Sequence, residues 1–181
     1  MPLRCLRPHK IEQASGYDHV GIRDIADATD VSTATVFKHF SGKEALVFDQ
    51  DQDRESELIA AVRERPRGQS ILDALRQHVL DTWPSIEAHP QAAAFTHLVE
   101  STPVLRAYAE RMWTRYTDSL SAAIAEEVGV DHDDLACMAL ARFVLDIPAL
   151  TRGRQDRRAA VEAIFDILTR GWEPPGKPPA P

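Results

Sequence analysis

The stretch that decides the fold is IRDIADATDVSTATVFKHF, residues 22–40. Its first part has apolar residues at helical spacing and predicts a helix with one packed face. The residues of that face are Ile22, Ile25 and Ala26. Asp30 follows at a turn position that tolerates unusual backbone angles, and Ser32 can cap the helix that comes next. The spacing is that of a helix-turn-helix.

The second helix of this pair begins with small or polar side chains, where larger apolar ones would anchor it better. A helix that enters the major groove of DNA needs such a leading edge, because its first residues approach base edges and phosphates closely. The pattern therefore predicts DNA contacts by Thr33, Ala34 and Thr35. Val36 and Phe40 lie four residues apart, as inward anchors should. Lys38 and His39 lie where donor groups hold phosphates.

Length and composition describe a folded globular chain without deciding whether it binds DNA. With 181 residues, 44% of them hydrophobic, the chain can form one domain or a small module joined to a larger one. The net charge is −7, but residues 1–48 hold six Lys or Arg against six Asp or Glu. Since DNA-binding surfaces are usually basic, a contact would depend on local positive side chains. The same three-helix pattern also occurs in proteins that do not bind DNA, and spacing leaves both possibilities open.

The rest of the chain also repeats apolar residues every three or four positions, which predicts an all-α protein. A short first helix is expected over residues 8–15, with Ile11 and Ala14 facing inward. The proline-rich ending, residues 173–181, predicts a disordered tail.

Ser41 and Glu44 stand in capping-box spacing and predict the start of a long helix. We expect it to continue until Pro66 breaks the pattern. Further helices are expected over residues 70–88 with a bend or break at Pro84, 90–101, 103–128, 133–152 with a bend at Pro148, and 155–172.

Several classes of protein are disfavoured. No apolar run reaches the roughly 18 residues of a spanning helix, and the first residues lack a signal-like apolar centre, so we expect a cytoplasmic protein without membrane contact. Cys5 and Cys137 stand far apart and outside metal-ligand spacing, which predicts reduced thiols and no metal site. Residues 49–57 resemble a calcium loop only in part, because Arg54 and Ala60 replace its required Gly and Glu. Without a nucleophile or phosphate-loop motif, we expect neither a cofactor nor an enzyme.

Residues 16–46, GYDHVGIRDIADATDVSTATVFKHFSGKEAL, resemble the DNA-binding module of the TetR (tetracycline repressor) family of transcriptional regulators. Five separated pairs stand in the family's order and spacing: Gly16 with Tyr17, Ile25 with Ala26, Val31 with Ser32, His39 with Phe40, and Lys43 with Glu44. The resemblance implies an all-α chain with an N-terminal helix-turn-helix module over residues 1–46. A larger helical domain for ligand binding and dimerisation would follow over residues 47–172.

The resemblance also implies residue roles, with bases or nearby phosphates contacted by Thr33, Ala34 and Thr35, and phosphates by His39 and Lys43. Lys43 could instead be a solvated surface lysine. Phe37 stands where the family usually has a tyrosine, so it keeps the ring contact and loses a hydrogen bond to phosphate. Gly21 stands where a threonine or serine usually caps the helix and touches the DNA backbone. With Lys38, these positions make the predicted DNA surface.

Large apolar side chains form a broad stripe along the helix predicted for residues 103–128, and they fit either core packing or a pocket wall. Family members bind small molecules inside the helical body, so the resemblance implies a pocket for a small apolar or amphipathic ligand. Its predicted walls are Trp83, Phe95, Met112, Trp113 and Tyr116. His78 and His97 are candidate polar contacts, although a lone histidine beside an apolar face is more often structural.

The last two predicted helices carry apolar residues over wider arcs than one core requires, which predicts a second buried face. We expect a homodimer with a four-helix interface formed by Phe143, Val144, Ile147, Val161, Phe165 and Leu168. A two-fold dimer would also place two reading helices at half-sites about one DNA turn apart. The expected function is a repressor that a ligand releases from double-stranded operator DNA. The alternative is a carrier or interaction protein that keeps the architecture without binding DNA.

Overall fold

The structure, a computed structural model, describes residues 17, 20–28, 30–87, 90 and 92–171, with the backbone alone at 28 and 83–87. Within these residues the chain forms nine helices and no strand, which confirms the all-α prediction. The predicted helix over 8–15, with Ile11 and Ala14, lies outside them, as do Cys5 and the predicted tail. No helix in the described ranges is long and apolar enough to cross a bilayer.

The helices are α1 (Ile22–Ala28), α2 (Thr33–His39), α3 (Lys43–Val47), α4 (Asp51–Arg63), α5 (Ile71–Glu87), α6 (Ala92–Ser101), α7 (Pro103–Val128), α8 (Leu135–Thr151) and α9 (Arg157–Arg170). Helices α5 to α9 begin and end within about two residues of the predicted positions. The predicted break at Pro84 is absent, because α5 continues through it, as α8 continues through Pro148.

The chain divides into two compact units, which we describe separately. The first unit comprises Met1–Asp53 and His89–Met112, and the second comprises Arg54–Ala88 and Trp113–Pro181. In the first unit, α1 and α2 pack around a small apolar core. Its buried residues are Ile25, Ala26, Val36 and Leu46, with Val20, Ile22, Val31 and Phe40 packed against them. The predicted packed face of α1 and the predicted anchors of α2 are confirmed.

The turn between α1 and α2 is set by backbone geometry that the sequence anticipates. Asp30 has a φ of 55°, the left-handed conformation that Asp tolerates better than most residues. Its amide bonds to the carbonyl of Asp27 at 3.4 Å, and the Val31 amide bonds to the carbonyl of Ala26 at 3.0 Å. This pair of bonds is a Schellman motif, which closes the end of α1 and directs the chain into α2.

The long helix predicted from Ser41 to Pro66 is wrong. Helix α3 ends at Val47, residues 48–50 form a turn, and α4 begins at Asp51. The predicted capping box is also absent, because the N-cap of α3 is Gly42, without a side-chain cap bond. The Glu44 carboxylate instead accepts a hydrogen bond from the Tyr17 hydroxyl at 3.0 Å.

Aromatic packing in the first unit explains why the helix breaks at Phe48. The Phe48 ring stacks on Tyr108 at a centroid distance of 5.0 Å and meets Phe95 edge to face at 5.6 Å. These contacts belong to an apolar cluster formed by Tyr17, Val47, Leu105, Phe48, Phe95 and Leu98. The backbone of Phe48 has φ −105° and ψ 43°, which no α-helix can continue, and the Asp51 amide bonds to its carbonyl at 2.9 Å.

In the second unit, α9 packs against α5 and α8. Its core includes Leu75, Val79, Leu120, Ala141, Val144, Ile147, Val161 and Phe165. Ion pairs also join α4 and the chain after it to the second half of α7, since Arg63 bonds to Glu126 at 2.5 Å and Arg65 to Glu127 at 2.6 Å. Cys137 is a buried free thiol, as predicted.

Candidate functional site

Helix α2 is fixed at its start by a side-chain cap. Ser32 has extended backbone angles and its Oγ accepts a hydrogen bond from the Thr35 amide at 3.1 Å. The two hydroxyls of Ser32 and Thr35 also lie 2.8 Å apart. The predicted Ser32 cap is confirmed, and the Thr35 hydroxyl belongs partly to that cap. Thr35 therefore has less hydrogen-bonding capacity to offer a ligand than the sequence suggests.

The two sides of α2 differ in burial. Val36 is only 2% exposed and faces the apolar core of the first unit. Ala34, Phe37, Lys38 and His39 are exposed, and Thr33 and Thr35 are half-buried. At 3.6 residues per turn, Thr33, Ala34, Phe37 and Lys38 fall on neighbouring positions of one arc. Four of the eight residues of the predicted DNA surface are thus brought together on one side of one helix, while Thr35 and His39 lie outside that arc.

Gly21 and Lys43 belong to the same unit, and each makes a contact that the sequence did not predict. The Gly21 amide donates a hydrogen bond to Asp24 Oδ2 at 2.7 Å, so a side chain of α1 satisfies the backbone donor that precedes the helix. Sequence analysis missed Asp24, although an acidic residue three positions after a cap is the signal for such a bond.

The Lys43 ammonium contacts the Tyr17 ring at 3.8 Å from its centroid and also donates to the Tyr17 carbonyl. Tyr17 is 6% exposed and donates its hydroxyl to Glu44. The ammonium has three N–H donors, so a phosphate contact would use those left over. Lys43 therefore links the chain before α1 to the start of α3, a role that sequence analysis did not assign.

The predicted ligand residues are distributed over both units. In the first, Phe95 packs on Phe48, Met112 is buried and His97 is exposed. In the second, the rings of Trp113 and Tyr116 meet edge to face at 5.5 Å. The side chain of Trp83 lies outside the described residues. These rings fill core positions within each unit, and a ligand pocket remains a prediction.

His78 lies at an open groove of about 440 Å³ within the second unit. The floor is made of small side chains from α4 and α5, including Ala60, Ala61 and Ala74. Burial lowers the pKa of His78 from its usual 6.5, while the nearby carboxylates of Glu57 and Asp81 oppose that change. The imidazole is therefore kept neutral in neutral solution.

The predicted dimer surface needs correction. Val144, Ile147, Val161 and Phe165 are at most 4% exposed, because they pack into the core of their own unit. Leu168 is half-buried, and of the six predicted residues only Phe143, at 55% exposure, is fully available. The opposite side of α8 instead exposes Leu135, Met138, Phe143 and Leu150. An apolar outer face does exist on α8. Leu135, Met138 and Leu150 lie away from the buried Val144, and Phe143 lies at the edge of that face, one turn before the buried Ile147.

Both parts of the chain match known families. Residues 12–49 match the bacterial regulatory proteins of the tetR family, and residues 69–173 match the MftR C-terminal domain. The chain is 32% identical over 128 residues to the HTH-type transcriptional regulator TcmR of Streptomyces glaucescens. That alignment covers 67% of this chain and 57% of TcmR, so the chain spans little more than half the length of this curated relative.

A solved structure is also similar to the chain. It is the TetR family transcriptional regulator PfmR from Thermus thermophilus, with a TM-score of 0.47 and 21% sequence identity. The similarity covers 93% of this chain and 98% of that chain.

Proposed function

The chain belongs to the tetR family of bacterial regulatory proteins, and from that premise we propose that it is a DNA-binding transcriptional regulator. Its α2 would lie in the major groove of operator DNA. The observation that supports this most directly is the division of α2 into two sides. Val36 holds the helix to its core, while small, polar and positively charged residues face outward together.

The outward arc of α2 can be sorted by chemistry. Thr33 and Ala34 are small enough for close approach to base edges, and Lys38 supplies a donor for the phosphate backbone. His39 is exposed outside this arc and would supply another donor. Because residues 1–48 carry no net charge, these local donors would provide the electrostatic attraction. Exposed carboxylates at Asp24, Asp27 and Asp30 would repel DNA and so restrict the electrostatic attraction to the outward arc of α2.

The regulator would act as a homodimer, since two α2 helices are needed to read two half-sites. We assign the interface to the outer face of α8, with Ile167 of α9 as a further exposed apolar residue. Within that face, Arg142 and Asp146 pair at 3.1 Å, which gives the contact a polar element. A small apolar or amphipathic ligand bound to the second unit would favour a state with weaker operator affinity, and the protein would act as a repressor.

Selection of random duplex DNA with the purified protein tests this function. We expect a preferred sequence with two related half-sites about one helical turn apart, and an affinity that falls steeply as salt rises. Lys38→Ala should reduce the salt slope by about one, because one phosphate contact is lost. Arg67→Ala removes the same charge from an exposed loop of the second unit and should leave the slope unchanged.

Absence of any sequence-selective, salt-dependent complex would contradict the proposal. Binding of small molecules by a protein that selects no DNA would support the carrier function instead. A slope that falls equally in Lys38→Ala and Arg67→Ala would show that α2 is not the contact surface.

A further inference from the structure

We propose that Phe37 determines operator sequence by reading a thymine through an apolar contact with its C5-methyl group. This reading rests on the proposed function of α2 and adds recognition of one base to it. The supporting observation is the difference in exposure between two neighbouring residues of the helix. Phe37 is 57% exposed, while its neighbour Val36 is 2% exposed and supplies the core contact for this turn of the helix.

Among the residues that the structure describes, Phe37 is not part of the packing that stabilises the first unit. It belongs to neither apolar cluster of that unit, and among the described residues no aromatic ring contacts it. Phe40, three positions later, already packs against the core. A large apolar ring therefore stands in solvent on the one arc of α2 that would face DNA.

The chemistry of the ring limits what it can contact. A phenyl group has no hydrogen-bond donor or acceptor, so it cannot bond a phosphate or a polar base edge. The faces of the bases are stacked inside a duplex and closed to it. The apolar group that a duplex presents in the major groove is the C5-methyl of thymine, and Phe is among the side chains suited to it.

The neighbours of Phe37 allow the necessary approach. Thr33 lies one helical turn before it and Ala34 lies three residues before it, so short side chains flank the ring on its own arc. The phenyl group is therefore the longest apolar group on that side of the helix. Lys38 lies next to it and can fix the helix to a phosphate while the ring contacts the base.

Replacement of thymine by deoxyuridine, which removes only the methyl group, tests the inference. Each thymine of the selected operator is replaced in turn, and affinity is measured for the full-length protein and for Phe37→Ala. At one thymine per half-site we expect the native protein to lose affinity about fourfold, the effect of burying one methyl-sized group. Phe37→Ala should bind both duplexes equally at that position and keep its sensitivity elsewhere.

Two further variants separate base reading from other roles. Phe37→Tyr keeps the ring and should keep the thymine preference. Lys38→Ala should weaken binding to every duplex and leave the ratio of thymine to deoxyuridine affinity unchanged. Because Phe37 is exposed, its alanine variant should match the native protein in thermal unfolding, which shows that the fold is intact.

Failure of the proposed function and failure of the Phe37 assignment give different results. If the protein selects no DNA sequence, the proposed function is wrong. If it selects an operator but native protein and Phe37→Ala respond alike to deoxyuridine at every thymine, the regulator stands and the assignment of Phe37 is overturned.

Discussion

A single side-chain hydrogen bond fixes the start of α2, and Ser32 accepts it from the Thr35 amide. The Ser32 cap satisfies one amide at a helix of only seven residues, where unpaired end groups are a large share of the total. We expect Ser32→Ala to lower the free energy of unfolding by about 0.5–2 kcal/mol. Chemical denaturation followed by circular dichroism measures the change, and amide exchange over residues 33–39 locates it.

Ser41 provides a matched control for this cap. It is exposed and, contrary to the capping-box prediction, the N-cap of α3 is Gly42. Ser41→Ala should therefore change stability by less than about 0.5 kcal/mol. Equal losses in the two serine variants would contradict the assignment of the cap to Ser32.

Lys43 and Lys38 are both candidate phosphate contacts, but they differ within the part of the chain that the structure describes, since Lys43 contacts Tyr17 and Lys38 is exposed. Its ammonium contacts the ring and carbonyl of Tyr17, so Lys43→Gln should lower the free energy of unfolding by about 1 kcal/mol. Lys38→Gln, at an exposed position, should have almost no effect on stability. Denaturation of both variants measures this, and equal stability would show that the Tyr17 contact is unimportant.

At the scale of helices, the sequence predicts the features of the site that depend on interactions between residues close in the chain. Asp30 in the turn, Ser32 at the cap and the apolar spacing of α1 each act within a few residues. The break between α3 and α4 is different, because Phe48 leaves the helix to pack against Phe95 and Tyr108, far along the chain. A window of neighbouring residues contains no signal for that contact.

The face of α8 shows a second limit of sequence patterns. Both sides of this helix are apolar, with Val144 and Ile147 on one and Leu135 and Met138 on the other. Spacing predicts that one side is a core and the other an interface, but it does not say which. Tertiary packing decides it: α8 packs against α9, and Val144 and Ile147 are buried while Leu135 and Met138 stay exposed.

Helix α5 has a pH-dependent contribution to stability through His78. Burial lowers the pKa of His78 in the folded chain below 6.5, so the unfolded chain binds a proton more readily. The chain therefore has its full stability above about pH 6.5, where His78 is neutral in the folded and the unfolded state. The free energy of unfolding decreases as the pH falls from there towards the folded pKa. His78→Gln should remove this part of the pH dependence.

Paired denaturation curves between pH 7.5 and 5 measure the effect as a difference between native protein and variant. The native protein should lose stability relative to His78→Gln as the pH decreases. His132→Gln, at an exposed loop position, is the control for the substitution of a histidine by glutamine. A constant difference between the native protein and His78→Gln would show that burial does not perturb this histidine.

For the whole molecule, the distribution of charge explains how an acidic chain can bind DNA. The excess of Asp and Glu lies after residue 48, where there are fifteen Lys or Arg against twenty-two acidic residues. Several of those arginines are paired within the second unit, as Arg115 is with Glu55 at 2.7 Å. Attraction to phosphates therefore has to come from residues 1–48, and salt would weaken the complex by screening that attraction.

The proposed dimerisation through the outer face of α8 would link this architecture to operator binding. Phe143 lies within that face, so Phe143→Glu would place a charge in the apolar contact and should yield a folded monomer in sedimentation at micromolar concentration. Val104→Glu, at a similarly exposed apolar residue of α7, should remain a dimer.

Because two linked half-site contacts can exceed one alone by about 10² to 10⁴ in affinity, the monomer should lose operator binding by that order. A monomeric native protein, or a Phe143→Glu variant that still dimerises, would show that another surface joins the two copies.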